Sequence, residues 1–362
     1  MNTFYIYSLG CKVNSYEIEA IKDDLLKKGY IQVDEESADY VIVNTCCVTN
    51  TAASKSRQKI NSIHKNNPNA SIIVMGCYVQ GFEEEVKQIE GVKLLVGTKD
   101  RSKIKEYIDS LDEQLSLGYK EIVLTGIHTG SYGKDLSDYT FTDLVKDLLK
   151  LDDLYRLRIS SIEESEITDE LIDLLNTNEK LAKHLHIPLQ AGSDHVLKLM
   201  NRKYDLKTYI DKINYIYDNV KDIAITTDVI VGFPQESDED FIDTINTCKQ
   251  MKYSKIHVFP YSSRKGTVAS KMSNQINGII KKQRAKELLN LSNELGLAYN
   301  QQFLNKEVEV LIEEEVKGYY IGHTTNFIKV KVLSNKKIER NSIIKVKVKE
   351  VYDSYVIANM EE

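Results

Sequence analysis

Phe4-Tyr5-Ile6-Tyr7 ahead of Cys11, Tyr40-Val41-Ile42-Val43 ahead of Cys46, and Ser71-Ile72-Ile73-Val74 ahead of Cys77 repeat one pattern over residues 1–100. Each run is short and apolar, and a segment with helical spacing follows it. That alternation predicts parallel strands in βαβ units. Ligands of such sheets bind beyond the carboxyl ends of the strands, which is where all three cysteines fall. A small doubly wound parallel sheet is therefore expected over residues 1–100, with a fourth strand at Val92–Val96. Asn14 is placed to cap a first helix that Gly29 ends, and a second helix begins near Asn50.

Beyond a helical stretch from Ser102 to Gly118 the pattern resumes. Runs at Glu121–Leu124, Leu157–Ser160, His184–Ile187, Ile223–Ile230 and Lys255–Phe259 alternate with helical segments at Asp143–Leu149, Asp169–Leu175, Tyr209–Tyr217 and Asp240–Met251. Five strands alternating with helices predict a partial (β/α) barrel over residues 101–303, ending in a long helix from about Gly278 to Phe303. The strand ends carry glycines and polar groups, among them Glu163, Gln190 and Gly232, and barrels build their active sites at that face. Residues 304–362 read differently. In Ile328–Val332 and Ile344–Lys349 valine or isoleucine alternates strictly with lysine, so a small all-β domain buries one face and exposes the other.

Length and composition agree with this α/β plan. The 362 residues allow two or three domains, and 42% hydrophobic residues supply their cores. A formal charge of −6 argues against a protein coated in basic residues, while leaving room for a local basic patch. No signal peptide and no membrane-spanning run is evident, so a cytoplasmic protein without membrane association is expected. In that compartment five cysteines point to metal or redox use rather than disulfides.

Taken singly, each cysteine reads as a small buried hydrophobe. Three in equivalent positions after strands point instead to a metal site. Structural zinc usually pairs ligands two to four residues apart, a spacing this triplet lacks. Thiolates from three loops suit an iron–sulfur cluster, in which three cysteines leave one iron open. Cys47, next to Cys46, is read as a bystander, and Cys248 as core of its helix. His184 and His186 alternate on one strand and so face one way, as lumen ligands or as satisfied buried histidines. Glu163 and Arg202 are placed to hold a polar ligand or to make simple salt bridges. Between Lys329 and Lys349 lie eight basic residues and one acid, Glu339. That is either a solvated face or a surface for RNA phosphates, with Lys329, Lys331, Lys345 and Lys347 as the candidate contacts.

The phrases Leu9-Gly10-Cys11-Lys12-Val13-Asn14, Asn44-Thr45-Cys46, Gly76-Cys77-Tyr78, Leu124-Thr125-Gly126-Ile127-His128-Thr129-Gly130, His186-Ile187-Pro188-Leu189-Gln190, Met200-Asn201-Arg202-Lys203-Tyr204 and Asp228-Val229-Ile230-Val231-Gly232-Phe233-Pro234 resemble the radical-SAM methylthiotransferases. The likeness covers nearly the whole chain. Its Gly-Cys-Lys-Val-Asn and Gly-Ile-His-Thr-Gly wording is similar to the branch acting on N6-threonylcarbamoyladenosine at position 37 of tRNA. The resemblance implies that Cys11, Cys46 and Cys77 hold an auxiliary [4Fe–4S] cluster that supplies sulfur. It implies S-adenosylmethionine in the barrel, with Glu163, Gln190, Arg202 and Gly232 as candidate contacts, beside a second [4Fe–4S] cluster. It further implies a TRAM-like C-terminal domain that grips tRNA, and an electron donor such as a flavodoxin or ferredoxin. Methylthio insertion at adenine C2 by radical chemistry is the implied activity.

The chain departs from that pattern in three places. Cys47 stands where a threonine is usual and Gln235 where a glycine is usual. More seriously, the radical-SAM cluster requires Cys-x3-Cys-x2-Cys after the first barrel strand, and no cysteine lies between Cys77 and Cys248. A first strand, the cluster loop and much of a helix are missing near residue 112, roughly fifty to seventy residues on the scale of βα units. As it stands, the chain is expected not to bind the catalytic cluster. The alternative readings are a catalytically inactive tRNA-binding paralogue or truncated form that keeps the auxiliary cluster, and a structural-metal protein with no RNA role.

Overall fold

The computed structural model describes residues 3–8, 21–22, 25–26, 29–45, 50–76, 86, 88–89, 92–96, 118–126, 129–134, 136, 139–264 and 266–360. The chain divides into two compact units, Met1–Ile104 with Ser262–Ser270, and Lys105–Tyr261 with Lys271–Glu362. The helix expected over Ser102–Gly118 falls almost wholly outside the described residues.

The first unit is a parallel sheet of β1 (Thr3–Ser8), β2 (Ile31–Gln32), β3 (Tyr40–Thr45), β4 (Ser71–Gly76) and β5 (Val92–Val96), in the order β2-β1-β3-β4-β5. That is a doubly wound order, whose switch point lies between β1 and β3. Helix α1 (Asn50–Asn66) packs Ile60 and Ile63 against Val41, Val43, Ile72 and Val74, all fully buried. Register pairs Ser8 with Asn44, Asn44 with Met75, and Thr45 with Gly76. Strand β2 escaped the sequence reading because two residues are too few to show a period.

The second unit contains β6 (Glu121–Leu124), β7 (Arg156–Ile159), β8 (His184–His186), β9 (Ala224–Val231) and β10 (Lys255–Pro260). All pairs are parallel: β6 with β7, β8 with β9, and β9 with β10. Bridges Leu157–Leu181 and Ser161–His186 join the two groups, so the strands follow one another in chain order as an open arc. Helices α2 (Phe141–Leu149), α3 (Asp169–Thr177), α4 (Asp194–Leu199), α5 (Leu206–Asn219) and α6 (Asp238–Met251) fill the crossovers. Their starts are fixed by side-chain caps at Thr140, Thr168, Asp205 and Ser237, each accepting a backbone N–H that would otherwise lack a partner. Helix α7 (Gly278–Gln301) covers β10, where the buried Ser292 hydroxyl accepts from Ile256 N and donates to Ile256 O. A hydroxyl thus satisfies the edge of the arc.

Strands β11 (Glu307–Val316), β12 (Tyr319–His323), β13 (Lys329–Leu333), β14 (Ile343–Val351) and β15 (Val356–Asn359) close into a barrel in the order β11-β12-β13-β15-β14. Val310, Val330, Val332, Val346, Val348 and Val356 fill it, as the period-two pattern predicts. This barrel meets the amino-terminal end of the arc through a loop. Arg156 Nη1 donates to His323 O (3.2 Å), and Arg158 donates to Thr324 O (3.1 Å) and Thr325 O (3.0 Å). Phe327, in the left-handed region at φ 63°, sits against His184 (ring centroids 4.7 Å apart), His323 (4.7 Å) and the Arg158 guanidinium (4.8 Å).

Candidate active site

Two strand-end groups have to be considered, one in each unit. In the first, the expectation on Cys11, Cys46 and Cys77 lies outside the described residues, as does that on Cys47. What is described is the scaffold feeding them. Cys46 and Cys77 are the next residues after the registered pair Thr45 and Gly76, and Cys11 follows Ser8 by three. Strands β1, β3 and β4 are adjacent and parallel, so the three loops leave the same edge at the spacing of neighbouring strands, ~4.8 Å. The Thr45 hydroxyl donates to Met75 O (2.6 Å) and clamps two of the strand ends together.

In the second unit, the carboxyl ends of β7 to β9 gather several polar groups. Glu163, just past β7, meets Arg202, from the turn after α4, in an ion pair of 3.4 Å with both side chains about a quarter exposed (24% and 30%). Gln190 lies beyond β8 with φ 65°, and its backbone knits into β9, donating to Asp228 O and accepting from Ile230 N, both at 2.8 Å. Gly232 follows β9 at φ 71°, and a Cβ there would stand 2.4 Å from Lys281 Cγ. Glycine is required at this turn on both counts. Gln235, also left-handed at φ 72°, occupies a conformation that explains why glycine is usual there in the resembling family. Glu163 and Arg202 are therefore brought into contact, while Gln190 and Gly232 reach the site through strand ends and turns.

The lumen of the arc holds a polar column. His184 Nε2 and His186 Nδ1 both reach the Thr226 hydroxyl, at 3.1 and 2.9 Å. His186 Nε2 lies 3.2 Å from Asp228 Oδ1, and its ring meets His257 edge-on at 5.6 Å. Each histidine is thus hydrogen-bonded to Thr226 on the neighbouring strand. Thr226 and Asp228 escaped the sequence reading, although they alternate on β9 as the histidines do on β8.

Acidic groups after β7 were missed as well. Glu166 accepts from Ser131 Oγ and from Lys134 Nζ (3.1 Å); burial opposes its ionisation, but these donors outweigh it and hold the carboxyl below its ordinary value. Glu164 is 4% exposed, and its Oε2 has no hydrogen-bond partner among the described residues. Burial pushes its carboxyl above the usual glutamate range. Their signal in the sequence was the run Glu163-Glu164-Ser165-Glu166 at a strand end.

Cys248 is fully buried within α6, and burial pushes its thiol up to about 12. It is core, as expected, and is no metal ligand. Among the described residues no three His, Cys, Asp or Glu side chains are grouped to hold a metal ion. The chain's remaining cysteines all precede residue 78. The thiolate donors that a cluster at the arc needs are absent from residues 78–247, so the residues present do not fit that group. No helix among the described residues is long and apolar enough to cross a membrane.

The lysines lie on the β-barrel. Lys329 and Lys331 are half-buried on β13, and Lys331 Nζ sits 3.5 Å from the Tyr355 ring centroid. On β14, Lys345 and Lys347 are registered opposite Glu309 and Glu307 of β11. Lys345 Nζ lies 3.8 Å from Glu307 Oε1. The basic face is thus partly neutralised by an acidic neighbour strand.

Comparison with known proteins adds the family. A profile described as "Uncharacterized protein family UPF0004" matches residues 3–97, and the "Radical SAM superfamily" profile matches residues 77–248. The chain is 37% identical over 424 residues to the "Threonylcarbamoyladenosine tRNA methylthiotransferase MtaB" of Bacillus subtilis, covering 96% of this chain and 94% of that protein. It is 32% identical over 414 residues to the "tRNA-2-methylthio-N(6)-dimethylallyladenosine synthase" of Thermodesulfovibrio yellowstonii, covering 95% of each. A solved radical S-adenosylmethionine methyltransferase, TsrM from Kitasatospora setae, aligns at a TM-score of 0.46 and 10% identity over 72% of each chain. Since 96% of 362 residues is about 348, about 76 of the 424 positions aligned with the Bacillus protein face no residue here. With both profiles matched in order and near-complete mutual coverage, this chain belongs to the radical-SAM methylthiotransferases, in their MtaB-type branch.

Proposed function

We propose that this chain carries the substrate-recognition and sulfur-delivery parts of a methylthiotransferase for C2 of N6-threonylcarbamoyladenosine at position 37 of tRNA. The observation that carries the reading is the near-full-length identity to a relative bearing that name. Cys11, Cys46 and Cys77 are the ligands assigned to an auxiliary [4Fe–4S] cluster, a reading supported by the three adjacent parallel strands that lead to them. S-adenosylmethionine is assigned to the carboxyl end of the arc. There Arg202, held by Glu163, offers a fixed cation for its carboxylate, and the backbones at Gln190 and Gly232 allow close approach. The closed β-barrel, TRAM-like in its place after the arc, is assigned to tRNA, with Lys329, Lys331, Lys345 and Lys347 towards phosphates.

A second reading is favoured by one specific observation, the absence of cysteine between Cys77 and Cys248. On it the chain binds tRNA and the auxiliary cluster but initiates no radical chemistry. One experiment separates the two. The chain is produced in bacteria lacking their own enzyme, with and without a Cys-x3-Cys-x2-Cys segment from the Bacillus relative inserted near residue 112. The 2-methylthio nucleoside of total tRNA is then measured by mass spectrometry. We expect no modification from the chain alone and modification after insertion. Failure of a folded, tRNA-binding inserted protein to modify tRNA would refute the methylthiotransferase reading. Anaerobic reconstitution gives a parallel readout: about four irons per chain alone, and none if the cysteine triplet holds no cluster.

A further inference from the structure

The β-barrel carries an aromatic stack that the phosphate-binding lysines do not account for. In the loop between β14 and β15, Tyr352 N donates to Tyr355 O (2.9 Å), and the two rings stack with centroids 4.6 Å apart at 20°. Lys331 Nζ, 3.5 Å from the Tyr355 centroid, can only occupy the face of that ring turned away from Tyr352. The order is therefore Lys331, Tyr355, Tyr352, and the outer face of Tyr352 ends the stack. Tyr352 is 39% exposed.

The platform is held rigidly. The Tyr352 hydroxyl donates to Glu350 (2.7 Å), and Asn300 Nδ2 on α7 donates to Tyr352 O (2.9 Å). Gly296, one turn earlier on α7, lies so close that a Cβ there would stand 2.5 Å from Asp353 O. The helix has no side chain at the point where the loop docks. A ring pinned in this way loses little further freedom when a flat partner lands on it.

Its surroundings select the partner. Strand β15 lies between β13 and β14; at its start Lys331 of β13 stands opposite Ile357, while across it β14 presents Glu350 and Val351, with Lys347 opposite Asn359 at the far end. An exposed aromatic face backed by Lys331 suits a nucleobase, which stacks on the ring while Lys329 and Lys331 of β13 meet the flanking phosphates and the neighbouring Glu350 is occupied by the Tyr352 hydroxyl. We propose that Tyr352 is a stacking platform for one unpaired base of the bound tRNA, with Tyr355 and Lys331 as its backing. This rests on the tRNA reading above and goes beyond it by assigning a base contact insensitive to salt.

The test uses the full chain and a fluorescein-labelled anticodon stem-loop RNA, with single 2-aminopurine replacements in the loop. Tyr352→Ala should weaken binding at least about fivefold, the lower end of one base–aromatic stack, with the slope of affinity against salt unchanged. Tyr352→Phe should bind as the wild type does, because the ring and not the hydroxyl makes the stack. One 2-aminopurine position should be quenched by the wild type and not by Tyr352→Ala or Tyr352→Leu. Wild-type binding with no quenched position, or unchanged affinity and quenching in both variants, would overturn the platform and leave the tRNA reading standing. Absence of salt-sensitive RNA binding by the wild type would overturn both.

Discussion

At the joint between the arc and the β-barrel one carboxylate holds the two buried arginines that reach the barrel loop, which makes Glu121→Gln a sharp test of the packing. Glu121 Oε1 accepts from Arg158 Nε (2.9 Å), and Oε2 from Arg158 Nη2 and Arg156 Nη1, both at 3.1 Å. Both arginine side chains are 3% exposed and that of Glu121 is 14% exposed. Burial opposes ionisation of Glu121, yet the charges and hydrogen bonds of Arg158 and Arg156 outweigh it and hold the carboxyl below its ordinary value. Replacement by glutamine keeps the shape and leaves two buried guanidiniums without a counter-charge, at a cost of about 3–5 kcal/mol. For a unit of this size that is a drop of roughly 6–20 °C in the melting midpoint. Circular dichroism melts and urea titrations of the full chain would measure it. The sign with pH is fixed. A carboxyl whose folded pKa is depressed stabilises fully above its unfolded value and loses that contribution as pH falls through the folded one. The gap between wild type and Glu121→Gln should therefore close on acidification below the ordinary glutamate value of 4.5. A variant melting within about 1 °C of wild type at pH 7, against that expected drop, or a gap that widens in acid, would refute the reasoning.

Three further outcomes follow from other sites. Asp240 accepts from Ser193, His195 (2.9 Å) and Ser237 N (2.9 Å); burial opposes them, but its carboxyl is held down to about 2. Asp240→Asn should cost about 2 kcal/mol in urea titrations at pH 7, and the difference should vanish as pH falls from about 4 towards 2; an equal cost at both ends would contradict it. Lys345→Glu with Lys347→Glu removes two of the charges proposed to meet phosphates and sets like charges opposite Glu309 and Glu307. Filter binding to tRNA should weaken with a salt slope reduced by about two, whereas unchanged binding would mean these lysines are only a solvated face. Arg202→Ala breaks a pair too exposed to contribute more than about 1 kcal/mol, so the melt should hardly move. Calorimetric affinity for S-adenosylmethionine should fall about tenfold or more, the scale of one lost charge-assisted hydrogen bond; unchanged affinity would leave Arg202 as a surface ion pair.

What the sequence discloses and what it conceals separate along one physical line. Features with a local cause were legible. The apolar runs became strands, and the valine–lysine alternation of β13 and β14 became a barrel wall with valines inside. Features set by register between distant strands were not. That His184 and His186 share Thr226 depends on β8 pairing with β9, where His186 stands opposite Thr226 some forty residues on. That Lys345 and Lys347 face glutamates depends equally on the β11–β14 register. That Arg156 and Arg158 are buried depends on the loop at His323–Thr325, which accepts their hydrogen bonds from more than a hundred and sixty residues away. Phe327 gave no signal at all, because a loop phenylalanine at positive φ is tolerated only where its neighbours hold it.

An arc of parallel strands has two edges, and each must be covered, paired or blunted. At β10 the edge is covered by α7, with Ser292 bonding to both polar groups of Ile256. At the other end, among the described residues, β6 pairs with β7 alone. The two strands differ accordingly. Every residue of β7 is buried, whereas in β6 only Ile122 is buried and Val123 and Leu124 are left half-open. Apolar side chains of that size gain about 1.5–3 kcal/mol each from full burial, so a strand that leaves them half-open is poorly suited to be an outermost one.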